Sequence, residues 1–189
     1  MGHARALQAG KRVLLRRPVV KDEAEFLALL RASKTFLRPW EPRPPPGLKP
    51  DSPERFRRML RARRDDRHEK LLICRRADGA IVGYMGINEI IMGPFQSAFL
   101  GYWTGAPHVR RGYMTEALQL ALRHAFRTLK LHRVEANIIP RNKASKALVK
   151  RAGFTREGLS RRYLKIAGRW QDNERWVLLR EDWKPRRAT

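Results

Sequence analysis

Apolar positions along this chain follow two different periods. Continuous or alternating apolar runs predict strands at residues 12–18, 70–76, 80–91, 96–105, 132–140, 163–170 and 174–182. Apolar residues spaced three and four positions apart predict helices over residues 20–33, 53–68, 114–129 and 141–153. This order, β-α-α-β-β-β-α-β-α-β-β, is typical of one α/β domain with a largely antiparallel sheet and a single parallel crossover.

Proline, glycine and asparagine mark the ends of these elements. Seven prolines between residues 36 and 53 predict an ordered but non-helical connection, because proline fixes φ and lacks a backbone donor. Ser52 and Pro53 are predicted as the N-cap and first residue of the second helix. Asn142 and Gly153 are predicted to cap the last helix, and Gly168 to turn the chain between the last two strands.

Composition narrows the class of protein. A hydrophobic content of 42% with 8% aromatic residues is typical of a globular chain, and no apolar run approaches the ~18 residues that a membrane span needs. No apolar core followed by a small-residue cleavage site is visible near the start, so we expect no secretory signal. The single cysteine, Cys74, lies in an apolar run and is expected in a buried strand. A cytoplasmic protein is the simplest interpretation.

The net charge of +24 is extreme, with 42 Lys and Arg against 18 Asp and Glu. Such a surface attracts polyanions, and RNA, the ribosome and phosphorylated cofactors are all candidates. Arginines on solvated helix faces, without a nucleic-acid site, are the alternative explanation. The five histidines show no metal-ligand spacing, so the sequence implies no metal.

The start of the third helix is the most informative stretch. One apolar stripe faces the core from Met114, Ala117, Leu118, Ala121, Leu122, Ala125 and Leu129. Arg110, Arg111 and Gly112 precede it, and free N–H groups at a helix start beside two guanidinium groups form a site for a diphosphate. The alternative is a turn whose glycine relieves strain and whose arginines are solvated.

Seven segments, in order, resemble landmarks of the GNAT acyltransferases, closest to the ribosomal-protein-alanine N-acetyltransferase group. They are "FLRPWEP", "LGYWTG", "RRGYMTEAL", "HRVEANIIPRNKAS", "AGFTREG", "YLKIAGRWQD" and "DWKP". The resemblance implies a GNAT-like single domain over residues 1–189, with its core at 10–184. Its central mixed, mostly antiparallel, twisted sheet is expected to carry about four flanking helices. The chain departs from the family at Arg110, where a glycine is usual, and at Pro107, where Gln or Arg is usual.

The resemblance also implies a cofactor site. Residues expected to bind acetyl-CoA are Trp103, Thr104, Arg110, Arg111, Gly112, Tyr113, Met114, Thr115, Asn142 and Ser145. The backbone N–H of Trp103 or Thr104 is the implied donor to the developing oxyanion. Ser145 is the candidate acid for the leaving thiolate, although a serine early in a helix is often only a local cap. Asn142 is open to the same alternative.

The resemblance identifies the residues that bind the acceptor amine less clearly than those that bind the cofactor. Glu41, in "RPWEP", is the candidate group that binds the incoming ammonium or relays its proton, with Glu89 and Glu135 as rivals. A terminal α-amine has an unperturbed pKa of about 8, so a strong base is not required. Trp40 is expected either as a wall of the acceptor pocket or as a loop anchor. Tyr163 and Trp170 are candidates for the opposite wall, with strand packing as the alternative.

The leading function is therefore an acetyl-CoA-dependent N-acetyltransferase that acts by direct attack in a ternary complex. Its expected acceptor is the N-terminal α-amine of a protein, possibly a ribosomal one, and its basic surface would suit ribosome or RNA association. One alternative acceptor is a small amine such as an amino acid, a polyamine or an antibiotic. The loop "RPWEPRPPP" is expected to discriminate, because a closed pocket favours a small molecule and an open groove admits a peptide. A non-catalytic basic RNA- or ribosome-binding protein is the third possibility.

Overall fold

The computed structural model describes residues 5–42, 47–62 and 66–185 of the chain. In this part, eight strands form one sheet in the order β1-β2-β3-β4-β5-β6-β8-β7. The strands are β1 Ala6–Ala9, β2 Val13–Arg16, β3 His68–Arg75, β4 Ile81–Ile91, β5 Ser97–Thr104, β6 Arg133–Ile138, β7 Thr155–Ile166 and β8 Arg169–Leu179. The helices are α1 Glu23–Leu37, α2 Pro53–Ala62, α3 Tyr113–Arg123, which a π-type turn extends, and α4 Lys143–Arg151.

The sheet is antiparallel except where β5 meets β6. These two strands pair in parallel at Ser97 with Arg133, Ala98 with Val134 and Phe99 with Glu135. The connection between them contains α3, as a parallel crossover requires. No further pair joins them, although β5 continues to Thr104 and β6 to Ile138. The sheet is therefore open as a wedge between the carboxyl halves of these strands.

Two hydrophobic clusters cover the two faces of the sheet. On one face, α3 and α4 pack through residues such as Leu118, Leu122 and Val149. On the other face, α1 and α2 pack through Phe26 and Phe56. The wedge between β5 and β6 thus has helices α3 and α4 on one side and helices α1 and α2 on the other. We call these the α3/α4 face and the α1/α2 face.

The predicted fold class is confirmed: a single domain with a mixed, mostly antiparallel sheet flanked by four helices. Cys74 lies in buried strand β3, as expected. Pro53 begins α2 with the Ser52 hydroxyl as a weak acceptor for the Arg55 N–H. Asn142 caps α4, since its side chain accepts from the Ser145 N–H at 3.1 Å.

Several elements differ in extent from their predictions, and one strand was not predicted. Strand β1 was missed because it is a four-residue edge strand with only its middle half-buried. Strand β7 begins at Thr155 rather than 163, because its first half is a mostly exposed edge that has no apolar alternation. Helix α2 was predicted too long, since His68 already belongs to β3.

No helix in the described ranges is both long and apolar enough to cross a membrane.

Candidate active site

The loop before α3 leaves several backbone N–H groups without a protein acceptor. Arg110 and Gly112 both adopt left-handed backbone conformations, with φ of 60° and 75°. Outside regular helices and strands, no backbone hydrogen bond in the described chain is donated by residues 110–115. N–H groups without a protein partner at the positive end of a helix dipole are the kind of donor that anion sites use. Arg110 thus adopts the left-handed conformation that glycine takes without strain, at a cost of about 1–2 kcal/mol for a residue with a Cβ.

Arg12 supports this loop from the β1–β2 hairpin, a role that the sequence did not reveal. Its guanidinium donates to the backbone oxygens of Arg111 (3.0 Å) and Gly112 (3.4 Å), and its Nε lies 3.1 Å from Glu116 Oε2. A Cβ on Gly112 would lie 2.9 Å from Arg12 Nη2. Glycine is therefore favoured at position 112 by its positive φ, and an added Cβ would also displace the Arg12 guanidinium from its contacts.

The charge around the loop suits phosphate groups. The Arg110 and Arg111 side chains are exposed, and neither forms an ion pair in the described part of the chain. Nearby, burial and the positive charges of Arg75 and Arg111 lower the pKa of His108. His108 is consequently neutral near pH 7. The positive charge beside the start of α3 therefore comes from Arg110 and Arg111.

A cleft of about 530 Å³ passes through the wedge between β5 and β6. Its lining residues come from both faces of the sheet and from seven separate segments of the chain. On the α3/α4 side they include Tyr102, Ala136, Asn142 and Ser145. On the α1/α2 side they include Trp40, Glu41, Arg55, Tyr84, Asn88, Glu89, Asn137, Tyr163 and Asn173. The cleft therefore connects the two faces at the point where the sheet is open.

Two hydroxyl groups meet on the α3/α4 wall. The Tyr102 and Ser145 hydroxyl oxygens are 2.6 Å apart, within hydrogen-bond distance. Burial raises the pKa of Tyr102 to about 12, while the Ser145 contact lowers it. Tyr102 therefore stays protonated through the physiological range and has a proton to donate. Sequence reasoning singled out Ser145 but missed Tyr102, although it stands directly before Trp103 in the recognised "LGYWTG".

The strand register distinguishes the two amides proposed as oxyanion donors. Gly105 N–H donates to the Val82 oxygen at 2.9 Å, and Tyr84 lies opposite Trp103. Hydrogen-bonded and non-hydrogen-bonded pairs alternate in an antiparallel ladder, so the Trp103 N–H points toward β4. The Thr104 N–H points to the other edge of β5, where β6 has separated. Of the two amides, only that of Thr104 faces the wedge.

Carboxylates on the α1/α2 wall already have basic partners. Glu41 lies 3.4 Å from Arg55 Nη2, and both side chains are partly buried. Glu89 pairs with Arg67 and lies 3.8 Å from His68 Nε2. Trp40 also lines this wall, and the Arg141 guanidinium lies over its ring at 5.7 Å from the centroid.

Other candidate residues lie outside the cleft. Glu135 is buried beside Arg133, at 3.1 Å, and does not line the cleft, so it is a poorer candidate base than Glu41 or Glu89. Trp170 is 61% exposed and forms no part of the wall, whereas Tyr163 does. Thr104 and the loop residues 110–115 do not line the cleft either. Residues 43–46 of the acceptor-side loop lie outside the described residues.

No group of three or more His, Cys, Asp or Glu side chains suited to a metal ion occurs within the described ranges. Cys74 is buried in the α1/α2 core, and burial raises the pKa of its thiol to about 11. The polar side chains that line the cleft carry hydroxyl, amide, carboxylate and guanidinium groups.

Comparison with known proteins gives a consistent result. A family model described as "Acetyltransferase (GNAT) domain" matches residues 12–155. The chain is 41% identical over 106 residues to the probable N-acetyltransferase YjcK of Bacillus subtilis, covering 56% of this chain and 59% of that protein. It is 39% identical over 107 residues to the [ribosomal protein uS5]-alanine N-acetyltransferase of Escherichia coli, covering 57% and 55%. The matched part spans somewhat more than half the length of these relatives.

A solved structure is similar over a longer range. Mycobacterium smegmatis RimJ, in complex with CoA-disulfide, superposes with a TM-score of 0.84 at 31% identity. The match covers 93% of this chain and 85% of that one. A spermidine N-acetyltransferase from Vibrio cholerae, in complex with CoA and spermine, shares the fold at 20% identity with a TM-score of 0.76, covering 90% and 96%.

Proposed function

The chain belongs to the GNAT acetyltransferase family, and we propose that it transfers the acetyl group of acetyl-CoA to the N-terminal α-amine of a protein, a ribosomal protein being the leading candidate. The observation that carries the proposal is the cleft through the wedge between β5 and β6. It joins the face that carries the hydroxyl pair to the face that carries the acceptor-side residues. Two substrates entering from opposite faces can therefore meet inside the sheet and react directly in a ternary complex.

The loop before α3 is the proposed binding site for acetyl-CoA. The N–H groups of residues 110–115 would hold the diphosphate of acetyl-CoA, with the Arg110 and Arg111 side chains as additional contacts. The pantetheine arm would follow the open edge of β5 toward α4, where Asn142 and Ser145 line the cleft. The likeness to RimJ, a protein solved with CoA-disulfide, supports this placement.

Three groups of this chain would serve the transfer. The neutral amine attacks the thioester carbonyl carbon, and the Thr104 N–H stabilises the negative charge that develops on the carbonyl oxygen. The carbon–sulfur bond then breaks, and the hydroxyl pair of Tyr102 and Ser145 protonates the leaving thiolate. The proton lost by the amine leaves to water or to Glu41, whose carboxylate lines the acceptor side.

The choice of a protein N-terminus over a small amine rests on charge and on the relatives. Two curated relatives are named for the alanine of ribosomal protein uS5. A polyamine carries several positive charges, and the carboxylates on the acceptor wall are already paired with arginines. A single α-amine needs much less negative potential than a polycation does. A small amine is the second candidate, because a cleft of about 530 Å³ is also of a size typical of small-molecule sites.

Association with ribosomes or RNA is part of the proposal. The β7–β8 hairpin beside the cleft exposes Arg161, Arg162, Lys165 and Arg169, and none of them forms an ion pair in the described part of the chain. Trp170, at the same tip, is 61% exposed. Exposed cations beside an aromatic ring fit an RNA backbone and its bases. Such a surface would bring the cleft to substrates on the ribosome, in the cytoplasm.

An acetylation assay tests the proposal. Purified protein, acetyl-CoA and a hexapeptide with a free N-terminal alanine are incubated, and the product is mapped by mass spectrometry. The proposal expects one acetyl group on the terminal nitrogen, and none on the same peptide with a blocked N-terminus and an internal lysine. Transfer to spermidine but not to the peptide would favour the small-amine alternative. Acetyl-CoA binding without transfer to any amine would favour a non-catalytic protein.

A further inference from the structure

A side-chain donor on the α1/α2 wall of the cleft is unused. Asn88 is half-buried and lines the cleft. Its Nδ2 donates to no acceptor in the described part of the chain, and this nitrogen is not sealed from solvent. The carboxylates of the same wall are paired, Glu41 with Arg55 and Glu89 with Arg67. The amide nitrogen of Asn88 is therefore available to a ligand in the cleft.

The orientation of the Asn88 amide is fixed by Lys70. The Lys70 ammonium donates to Asn88 Oδ1. An ammonium carries only donors, so exchanging the amide oxygen and nitrogen would place N–H groups against N–H groups. The end of the side chain away from Lys70 is therefore the nitrogen. The positive charge beside the oxygen also polarises the amide and makes its N–H groups stronger donors.

The Asn88 nitrogen lies over a bare part of the sheet. Gly101 lines the cleft from β5, and a Cβ built on it would lie 3.3 Å from Asn88 Nδ2. Apart from the chain neighbours of Gly101, no other atom would lie within 4 Å of that Cβ. Trp103 of the same strand packs in the α1/α2 cluster, so the missing side chain of Gly101 also belongs to the α1/α2 face. We call this space the Gly101 hollow.

A donor beside this hollow suits an oxygen atom and not an ammonium. The N–H groups of an amide accept nothing from an amine, and the Lys70 ammonium repels a second positive charge. In a peptide, the first carbonyl oxygen is an acceptor attached next to the carbon that bears the α-amine. We propose that Asn88 Nδ2 donates to the carbonyl oxygen of the acceptor's first residue in the Gly101 hollow. This inference rests on the proposed function and identifies the feature of the acceptor that the cleft recognises.

This contact would direct the amine toward the opening of the sheet. Gly101 directly precedes Tyr102, whose hydroxyl meets Ser145 on the opposite face. The parallel pairing of β5 and β6 ends at Phe99, so the wedge is open beside Gly101. A carbonyl in the Gly101 hollow therefore places the amine on the neighbouring carbon next to the wedge. A polyamine has no oxygen to accept this hydrogen bond, whereas every peptide N-terminus has one.

Two peptides that differ in one oxygen test this inference. One is the alanine hexapeptide, and the other is the same peptide with a trans-alkene in place of its first peptide bond, which keeps the shape and removes the carbonyl. In the wild type we expect kcat/KM, corrected for the fraction of neutral amine, to be about tenfold lower for the alkene peptide, the effect of losing one hydrogen bond.

Asn88→Asp removes the donor and keeps an oxygen for Lys70. We expect kcat/KM to fall about tenfold for the hexapeptide and not to fall for the alkene peptide, with the Kd of acetyl-CoA unchanged. Gly101→Ala fills the Gly101 hollow and should also lower kcat/KM for the hexapeptide about tenfold. Gly158→Ala is the matched control, because Gly158 lies outside the cleft and a Cβ on it would contact the Arg175 guanidinium at 3.4 Å. Its kinetics should stay unchanged.

The outcomes separate the inference from the proposed function. A wild-type protein that acetylates no amine overturns the proposed function, and the inference falls with it. Equal kcat/KM for the two peptides in an active wild type overturns the inference alone. So does an Asn88→Asp variant that loses activity equally with both peptides or with neither. If Gly101→Ala does not fold, as judged by thermal melting and acetyl-CoA binding, the Asn88→Asp comparison decides.

Discussion

The cofactor loop and the acceptor wall of this protein are built in opposite ways. The loop is one continuous stretch of chain, its donors are backbone N–H groups, and its arginines have no carboxylate partner in the described chain. The acceptor wall gathers side chains from six segments, and its carboxylates are paired with arginine. The arginines of the loop are thus unpaired in the described chain, whereas the carboxylates of the acceptor wall are neutralised by arginine.

This difference reflects what each ligand needs. A diphosphate carries fixed negative charge and is bound by fixed positive charge and dipoles. An α-amine has to lose a proton before it reacts, so a strongly negative site would hold it in the unreactive form. Substitutions at three places test this difference: at the hydroxyl pair between the loop and the wall, in the loop, and on the acceptor wall. They are given in decreasing order of their expected effect on activity or binding.

The hydroxyl pair at the junction should show the largest effect. Tyr102→Phe removes the group whose pKa is about 12, and we expect kcat to fall about 100-fold because the leaving thiolate loses its acid. Ser145→Ala should lower kcat by about tenfold, and the double variant should be no worse than Tyr102→Phe, since the two hydroxyls act as a unit. Steady-state kinetics with the alanine hexapeptide measures all three.

Tyr84→Phe serves as the control for this pair, because it removes a hydroxyl from the opposite wall, where Tyr84 stacks on Trp103. Its kcat should be nearly unchanged. Equal losses in Tyr84→Phe and Tyr102→Phe would show that the hydroxyl pair has no special part in proton transfer.

A glycine substitution in the loop should have the second-largest effect, a loss of acetyl-CoA affinity. Gly112→Ala forces a side chain into a position with φ of 75° and against the Arg12 guanidinium, and we expect acetyl-CoA affinity to fall about tenfold as the loop shifts. Gly93→Ala is the matched control, since Gly93 has φ of 68° with nothing within 4 Å. Both should lose about 1 kcal/mol of stability, and only Gly112→Ala should bind the cofactor more weakly. If calorimetry gave the same acetyl-CoA affinity for Gly112→Ala and Gly93→Ala, the loop would have no part in cofactor binding.

Glu41→Gln should have the smallest effect. Its carboxylate pairs with Arg55, and a terminal α-amine is already partly neutral near pH 7, so we expect kcat to change less than about threefold. Kinetics at pH 7 and at pH 9 measure this. A loss of tenfold or more at pH 7 that disappears at pH 9 would make Glu41 the general base and contradict the contrast between the two ends.

The sequence predicted the local structure around the loop before α3 better than that of the acceptor wall, because the loop and its neighbouring helices are determined by residues close together in the chain. The loop, the stripe of α3 and the Asn142 cap are each set by residues close together in the chain, and their positions agree with the structure. Arg12 was missed because it reaches the loop from about 100 residues away. Tyr102 meets Ser145 only because α4 packs against the sheet beside β5, a long-range contact that a single sequence does not display. Edge strand β7 was half missed for lack of an apolar face.

Isothermal titration with acetyl-CoA tests the central claim most directly, that the start of α3 holds the diphosphate. The titration compares the wild type with Arg110→Ala/Arg111→Ala, and acetyl-CoA with dephosphorylated pantetheine. Arg180→Ala/Lys184→Ala is the charge-matched control, because both residues are exposed at the opposite end of the sheet, where Arg180 N–H contacts the His132 oxygen. The account predicts micromolar binding in the wild type and in the control, with clear weakening in the loop variant and for pantetheine. Equal weakening in both double variants, or no binding by the wild type at low salt, would contradict it.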